Sequence, residues 1–240
     1  STLLASSAAS DVYKRQGISI GGQYALIAIG YTMVYGILRL INFAHGDIFM
    51  AAGLIMVYAS AELPLYASIP LVLVMTMLLG FAIERAAYKP LRTAPRMSVM
   101  ISAIGVSYML QNVALYATGG LAKTYPAIPW LSDPVSVFGA TTKRVTLITP
   151  VLTLILVVAL VLIIKFTKIG VAMRAVSKDF ETSQLMGIKI NRVISVTFII
   201  GSLLAAVGSI LYFTNYPSVI PTSGSVSYTH LRAHETRHDL

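Results

Sequence analysis

The sequence predicts an all-α membrane protein, a polytopic bundle of about six transmembrane helices, and three observations carry that prediction. First, 56% of the 240 residues are hydrophobic and only 11% are charged, whereas an ordinary soluble domain carries about a quarter charged residues. Second, six apolar runs approach the roughly 20 residues that a helix needs to cross the hydrocarbon core. Third, Lys and Arg collect in alternate connections between those runs, as in short loops retained on the cytoplasmic side. Cysteine is absent, so neither a disulfide framework nor a thiolate metal site can be built.

In chain order the runs are Gly21–Leu40, Ile48–Leu63, Ile69–Ile83, Ser98–Thr118, Val145–Ile164 and Val193–Phe213. The first is long enough to span and reads as a helix of the bundle, not as a cleavable signal. The second and third are short and separated only by PLYASIP, so they read either as two crossings or as one bent or re-entrant hairpin. The last carries the small residues Gly201, Ser202, Ala205, Ala206, Gly208 and Ser209, which allow close helix packing. The two ends read differently. Residues 1–16, STLLASSAASDVYKRQ, and residues 226–240, VSYTHLRAHETRHDL, look like translated sequencing-adaptor read-through, which leaves 17–225 as the transmembrane domain. His230, His234 and His238 stand at i, i+4, i+8, a spacing that would line one helix face with metal ligands. They fall in that tail, so no metal site is expected.

Orientation follows from the basic residues. The connection ERAAYKPLRTAPRM carries Arg85, Lys89, Arg92 and Arg96, and the stretch after the fifth run carries Lys165, Lys168, Arg174, Lys178, Lys189 and Arg192. Both are expected in the cytoplasm. Between them, Gly119 to Arg144 holds only Lys123, Lys143 and Arg144, together with Tyr125, Trp130, several prolines and the alternating VSVFG. That composition predicts a small outward loop with a short hairpin. With six spans the signs alternate consistently and place the segment after the last span outside; five spans break the pattern.

Polar residues at membrane depth are costly and usually face protein or water. The densest group is the junction LRLINFAHGDIFM. One reading is structural: Gly46 ends one helix and Asp47 caps the next by accepting a backbone N–H. The other makes Asn42, His45 and Asp47 part of a broken helix lining a solute path, where exposed helix ends supply hydrogen bonds at the midplane. Gln111 and Asn112 form a second polar pair inside the fourth span, suited to a helix–helix hydrogen bond or to the same path.

The stretch RAVSKDFETSQLMGIKINRV, Arg174 to Val193, carries both signs of charge between two apolar runs. Asp179 is placed as an N-cap for a helix of about two turns, Phe180–Met186, with Glu181 near the positive end of its dipole and Gly187 as its stop. The alternative is a solvated charged loop that merely anchors two spans.

Four separated blocks, GGQYALIAIGYTMVYGILRLINFAHGDIFMAAG, ERAAYKPLR, ISAIGVSYMLQN and GVAMRAVSKDFETSQLMGIKINRVISVTFIIGSLLAAVGSIL, together resemble the permease of bacterial branched-chain amino acid ABC importers. The resemblance covers nearly all of 17–225 and implies an incomplete ABC importer permease fold, since members of that family continue with further spans. It also implies that Asp179, Phe180, Glu181, Leu185, Met186 and Gly187 form the loop that docks on an ATPase subunit. Phe180 stands where proline often follows the capping Asp, and Thr182 and Ser183 where small alanines are frequent. The implied partners are a second permease subunit, two cytoplasmic ATPase subunits, a periplasmic solute-binding protein, the lipid membrane and a small solute such as leucine, isoleucine or valine. No nucleic acid is expected. No cofactor is expected in this chain either: it has no phosphate-binding glycine loop with a lysine, so ATP would be bound by the partner subunits. A sister importer for urea or short amides shares the same blocks. A membrane-embedded enzyme is disfavoured, because the spans assemble no paired carboxylates and no Ser/His/Asp set, and His45 is the sole histidine outside the tail. A passive channel would have no use for the docking-type loop.

Overall fold

Inside a bilayer every backbone N–H and C=O must find its partner within the chain, which leaves the helix as the natural form of an isolated apolar run. The computed structural model describes residues 2–38, 42–91, 94–137 and 140–222. Its helices are α1 (Thr2–Leu38), α2 (Ala44–Glu62), α3 (Leu65–Ile83) continued by a π segment (Glu84–Tyr88), α4 (Arg96–Thr118), α5 (Pro129–Ser132), α6 (Arg144–Phe166), α7 (Lys168–Lys178), α8 (Phe180–Leu185) and α9 (Ile190–Asn215). Short strands β1 (Lys123–Thr124), β2 (Pro134–Val137), β3 (Ala140–Lys143) and β4 (Ser218–Val219) complete the description. Among the described residues, six helices are long and apolar enough to cross a membrane, those at Gly17–Ile37, Ala44–Glu62, Leu65–Tyr88, Met97–Thr118, Arg144–Phe166 and Ile190–Asn215, so the chain is an all-α multi-pass membrane protein. Residues 2–16 run helically into the first span. Arg92 and the tail 226–240, with its three histidines, lie outside the described residues.

The second and third runs are separate helices of 19 residues each, about 28 Å long at 1.5 Å per residue. Each is long and apolar enough to cross, as the reading of two separate crossings needs. Pro64 makes the break. It forces Leu63 into extended backbone (φ −120°, ψ 148°), and the Ser68 hydroxyl donates to the Leu63 and Pro64 carbonyls, both at 3.2 Å.

The centre of the bundle is α9, which packs against α1, α2 and α3. Its small residues, Gly201, Ser202, Ala205, Ala206, Gly208 and Ser209, are all buried, as their spacing predicts. Gly80 on α3 sits so close to α9 that a Cβ there would collide with the Ser202 hydroxyl. The spans differ sharply in enclosure: most of α2 and α9 is buried, whereas little of α6 is.

Between α4 and α6, β2 and β3 form the expected hairpin, with Pro134 opposite Lys143 and Val135 opposite Thr142. Less expected is the pairing of β1 with β4, Lys123 with Val219 and Thr124 with Ser218. It joins the loop after α4 to the segment after α9, consistent with both lying on one side of the membrane. Tyr125 then stacks on Phe213 (centroids 5.7 Å apart), and Lys143 Nζ donates to the Asn215 carbonyl at 3.1 Å.

Candidate functional site

Two groups of residues singled out by the sequence can be followed into the structure. The first is the loop between α6 and α9. Thr167 caps α7 by accepting from the Gly170 N–H at 3.0 Å. Asp179 closes α7 and opens α8: its Oδ1 accepts from the Glu181 and Thr182 N–H groups at 2.9 and 3.2 Å, and its Oδ2 accepts from the Thr182 hydroxyl at 2.5 Å. These donors hold the Asp179 carboxyl below the usual carboxylate range, the Thr182 hydroxyl foremost.

Helix α8 ends one residue earlier than the sequence predicts. Met186 is its C-cap, and Gly187 follows at φ +81°, a conformation that suits only a residue without a Cβ. The Gly187 N–H donates to the Gln184 carbonyl at 3.0 Å and the Ile188 N–H to the Ser183 carbonyl at 3.1 Å, the paired bonds of a Schellman ending. A helix of under two turns is thus fixed at both ends by its own sequence. Ser183 faces inward and is buried, while Leu185 and Met186 are 87% and 79% exposed. Beside them a cleft of about 520 Å³ is lined by Phe180, Gln184, Ile188, Lys189, Ile190 and Arg192, with Asn191. Exposed apolar side chains thus stand next to basic ones on this face.

The second group is the polar junction before α2. Asn42, His45 and Asp47 are all fully enclosed by protein. The capping reading of Asp47 does not hold. Helix α2 starts at Ala44, its N-cap Phe43 makes no side-chain cap bond, and Gly46 lies within the helix. Asp47 instead reaches across to α4, accepting from the Ser107 hydroxyl and from Gln111 Nε2 at 3.1 Å. Ser107 was not legible as a partner, because a serine in an apolar helix carries no signal of what it faces. Gln111 therefore makes the helix–helix bond expected of its pair, but Asn112 does not: its amide donates to the Tyr108 carbonyl of its own helix at 2.7 Å, on an exposed face.

His45 fits between α1 and α9 because both backbones come close. A Cβ on Gly30 would stand 2.9 Å from the His45 Nε2. Asn42 Oδ1 accepts from the Tyr88 hydroxyl at 2.7 Å. Another contact at the same end of the bundle was missed by sequence reasoning: the buried Glu84 accepts from the Ser195 hydroxyl at 2.8 Å.

Comparison with known proteins agrees with this architecture. The high-affinity branched-chain amino acid transport system permease protein BraD of Pseudomonas aeruginosa is 39% identical across 87% of this chain and 72% of its own length. The corresponding permease protein LivH of Escherichia coli strain K12 is 35% identical over the same shares of the two chains. The probable branched-chain amino acid transport permease protein LivH of Methanocaldococcus jannaschii is 26% identical across 84% of this chain and 65% of its own. No solved structure matches. The model of one family, described as branched-chain amino acid transport system / permease component, matches residues 15–232, and the chain belongs to that family.

Proposed function

We propose that the chain is a permease subunit of an ABC importer that moves branched-chain amino acids (leucine, isoleucine, valine or a similar small solute) across the bacterial inner membrane. In this reading it pairs with a second permease subunit and receives solute from a periplasmic binding protein. Two cytoplasmic ATPase subunits bind and hydrolyse the ATP. The observation that carries the reading is α8: a short helix capped by Asp179 and stopped by Gly187, with Leu185 and Met186 turned outward beside basic residues. Burying either side chain fully would contribute about 1.5–3 kcal/mol, and less at a partial interface.

Closure of the ATPase pair would move α8, and because only Met186 to Lys189 separate α8 from α9, that motion enters the bundle directly. Asn42, His45, Asp47 and Gln111 supply the polar groups of the solute path. The burial of Asn42, His45 and Asp47 fits a conformation in which the path is shut at that level. Asn112 stands on another face of α4 and contributes, in this reading, only if that face also borders the path.

The test is copurification of the ATPase with permease variants, with solute-stimulated ATP hydrolysis measured in vesicles. Leu185→Asp should abolish copurification while membrane insertion stays normal. Gly187→Val should weaken it through the backbone, since a β-branched residue is poorly tolerated at positive φ. Wild-type copurification and hydrolysis by Leu185→Asp would return the loop to a solvated connector.

A further inference from the structure

The cytoplasmic end of α3 departs from regular helix. Over Glu84–Tyr88 the chain winds as a π segment, closed by the bond from the Lys89 N–H to the Glu84 carbonyl at 2.9 Å. Such wide turns are rare and occur mostly as single turns inside α-helices, often at functional sites. This one spends its extra residue on two side-chain bonds in different directions. Glu84, fully buried, accepts from Ser195 on the second turn of α9. Tyr88, also buried, donates to Asn42 in the connection that leads into α2, while its ring packs on Phe198 of α9 at 5.0 Å between centroids.

Two different regions lie on either side of it. Ser195 and Phe198 belong to α9, which comes after α8 with four residues between them. Asn42 leads into His45, whose backbone N–H donates to the Asn42 carbonyl at 3.2 Å. The π segment is therefore bonded at one end to the helix that the docking loop moves, and at the other to the polar junction. The form it would take otherwise is a regular α turn. Relaxing a π turn to α removes one residue from the winding and rotates the rest of the helix by up to one residue step, about 100°. Glu84 and Tyr88 could not then both keep their present partners. An element with two such forms, biased from both sides, is one physical means of coupling distant sites.

We propose that the π segment Glu84–Tyr88 is the switch that carries motion of the docking loop to the Asn42–His45 junction, with Glu84, Ser195 and Tyr88 as positioning residues that hold it in the form seen here. The proposal rests on the permease reading, and it assigns a place and a mechanism within the bundle that the docking loop alone does not.

Tyr88→Phe deletes one hydroxyl and keeps the ring against Phe198; Ser195→Ala deletes the donor to Glu84. Each variant is assembled with its ATPase and binding protein in vesicles, and four quantities are read: folded permease, copurified ATPase, basal ATP hydrolysis, and solute moved per ATP. The first three should match the wild type, while solute moved per ATP falls about tenfold, within the usual span of allosteric couplings. An unchanged ratio in both variants overturns the switch. So does a loss of transport that merely tracks loss of folded or assembled protein, which is what ordinary packing contacts would give. Failure of the permease reading looks different: Leu185→Asp would then leave copurification intact whatever Tyr88→Phe does.

Discussion

At the scale of single residues, Asp179 has the most to do. Its N–H donates to the Ala175 carbonyl at 3.2 Å to close α7, and its carboxylate takes the first donors of α8. Because those donors favour the charged form, its folded pKa is depressed. A depressed carboxyl stabilises the fold above its unfolded value of about 3.9 and loses that stabilisation as pH falls through the lower folded value. Hydrogen-exchange protection of the Glu181 and Thr182 amides in the detergent-solubilised chain should accordingly stay level from pH 7 to about 4 and fall below it. Asp179→Ser, a neutral cap, should give a flat profile over the same window. A break near neutral pH in the parent chain would point to some other group. The cap could be anticipated from the order Asp, short helix, Gly, because local chain geometry alone decides it. The acceptors of Ser107, Tyr88 and Ser195 could not, because each lies 46 or more residues away.

At the scale of elements, the close fit of α3 on α9 sets a sharp expectation. Gly80→Leu must push α9 aside at Ser202 and Phe198, and overpacking of this kind typically costs about 1–3 kcal/mol. Gly105→Leu on α4 is the matched control, since a Cβ there meets nothing within 4 Å. Thermal unfolding in detergent should show a lower midpoint for the first and little change for the second; equal midpoints would mean that α3 and α9 are not held this tightly. The six spans were legible because apolar length is a property of each segment by itself. So was the β2–β3 hairpin, from the alternation in VSVFG. The π segment was not, since ERAAY differs in no composition or spacing from an ordinary helix end. Nor was the β1–β4 pair, because two-residue strands are too short to show any alternation.

At the scale of the whole molecule, the bundle must sit one way up. The chain has no cysteine, so single cysteines report without background. In intact cells a membrane-impermeant thiol reagent should label Trp130→Cys, in the outward loop, and leave Lys178→Cys unlabelled until the cells are opened. Both positions are exposed in the chain, and the reverse pattern would invert the topology. In that orientation the small β1–β4 pair would take on a mechanical meaning. One end of α9 is pinned by those strands, by the Tyr125–Phe213 stack and by the Lys143–Asn215 bond, whereas its other end is joined to α8 by the four residues Met186 to Lys189. A rod of 26 residues, about 39 Å long, held at one end and pushed at the other, turns about the held end instead of sliding. On the permease reading proposed above, a push from α8 would make the strand pair a fulcrum, and residues halfway along α9, where Gly201 meets Gly30 and His45, would travel about half as far as the pushed end.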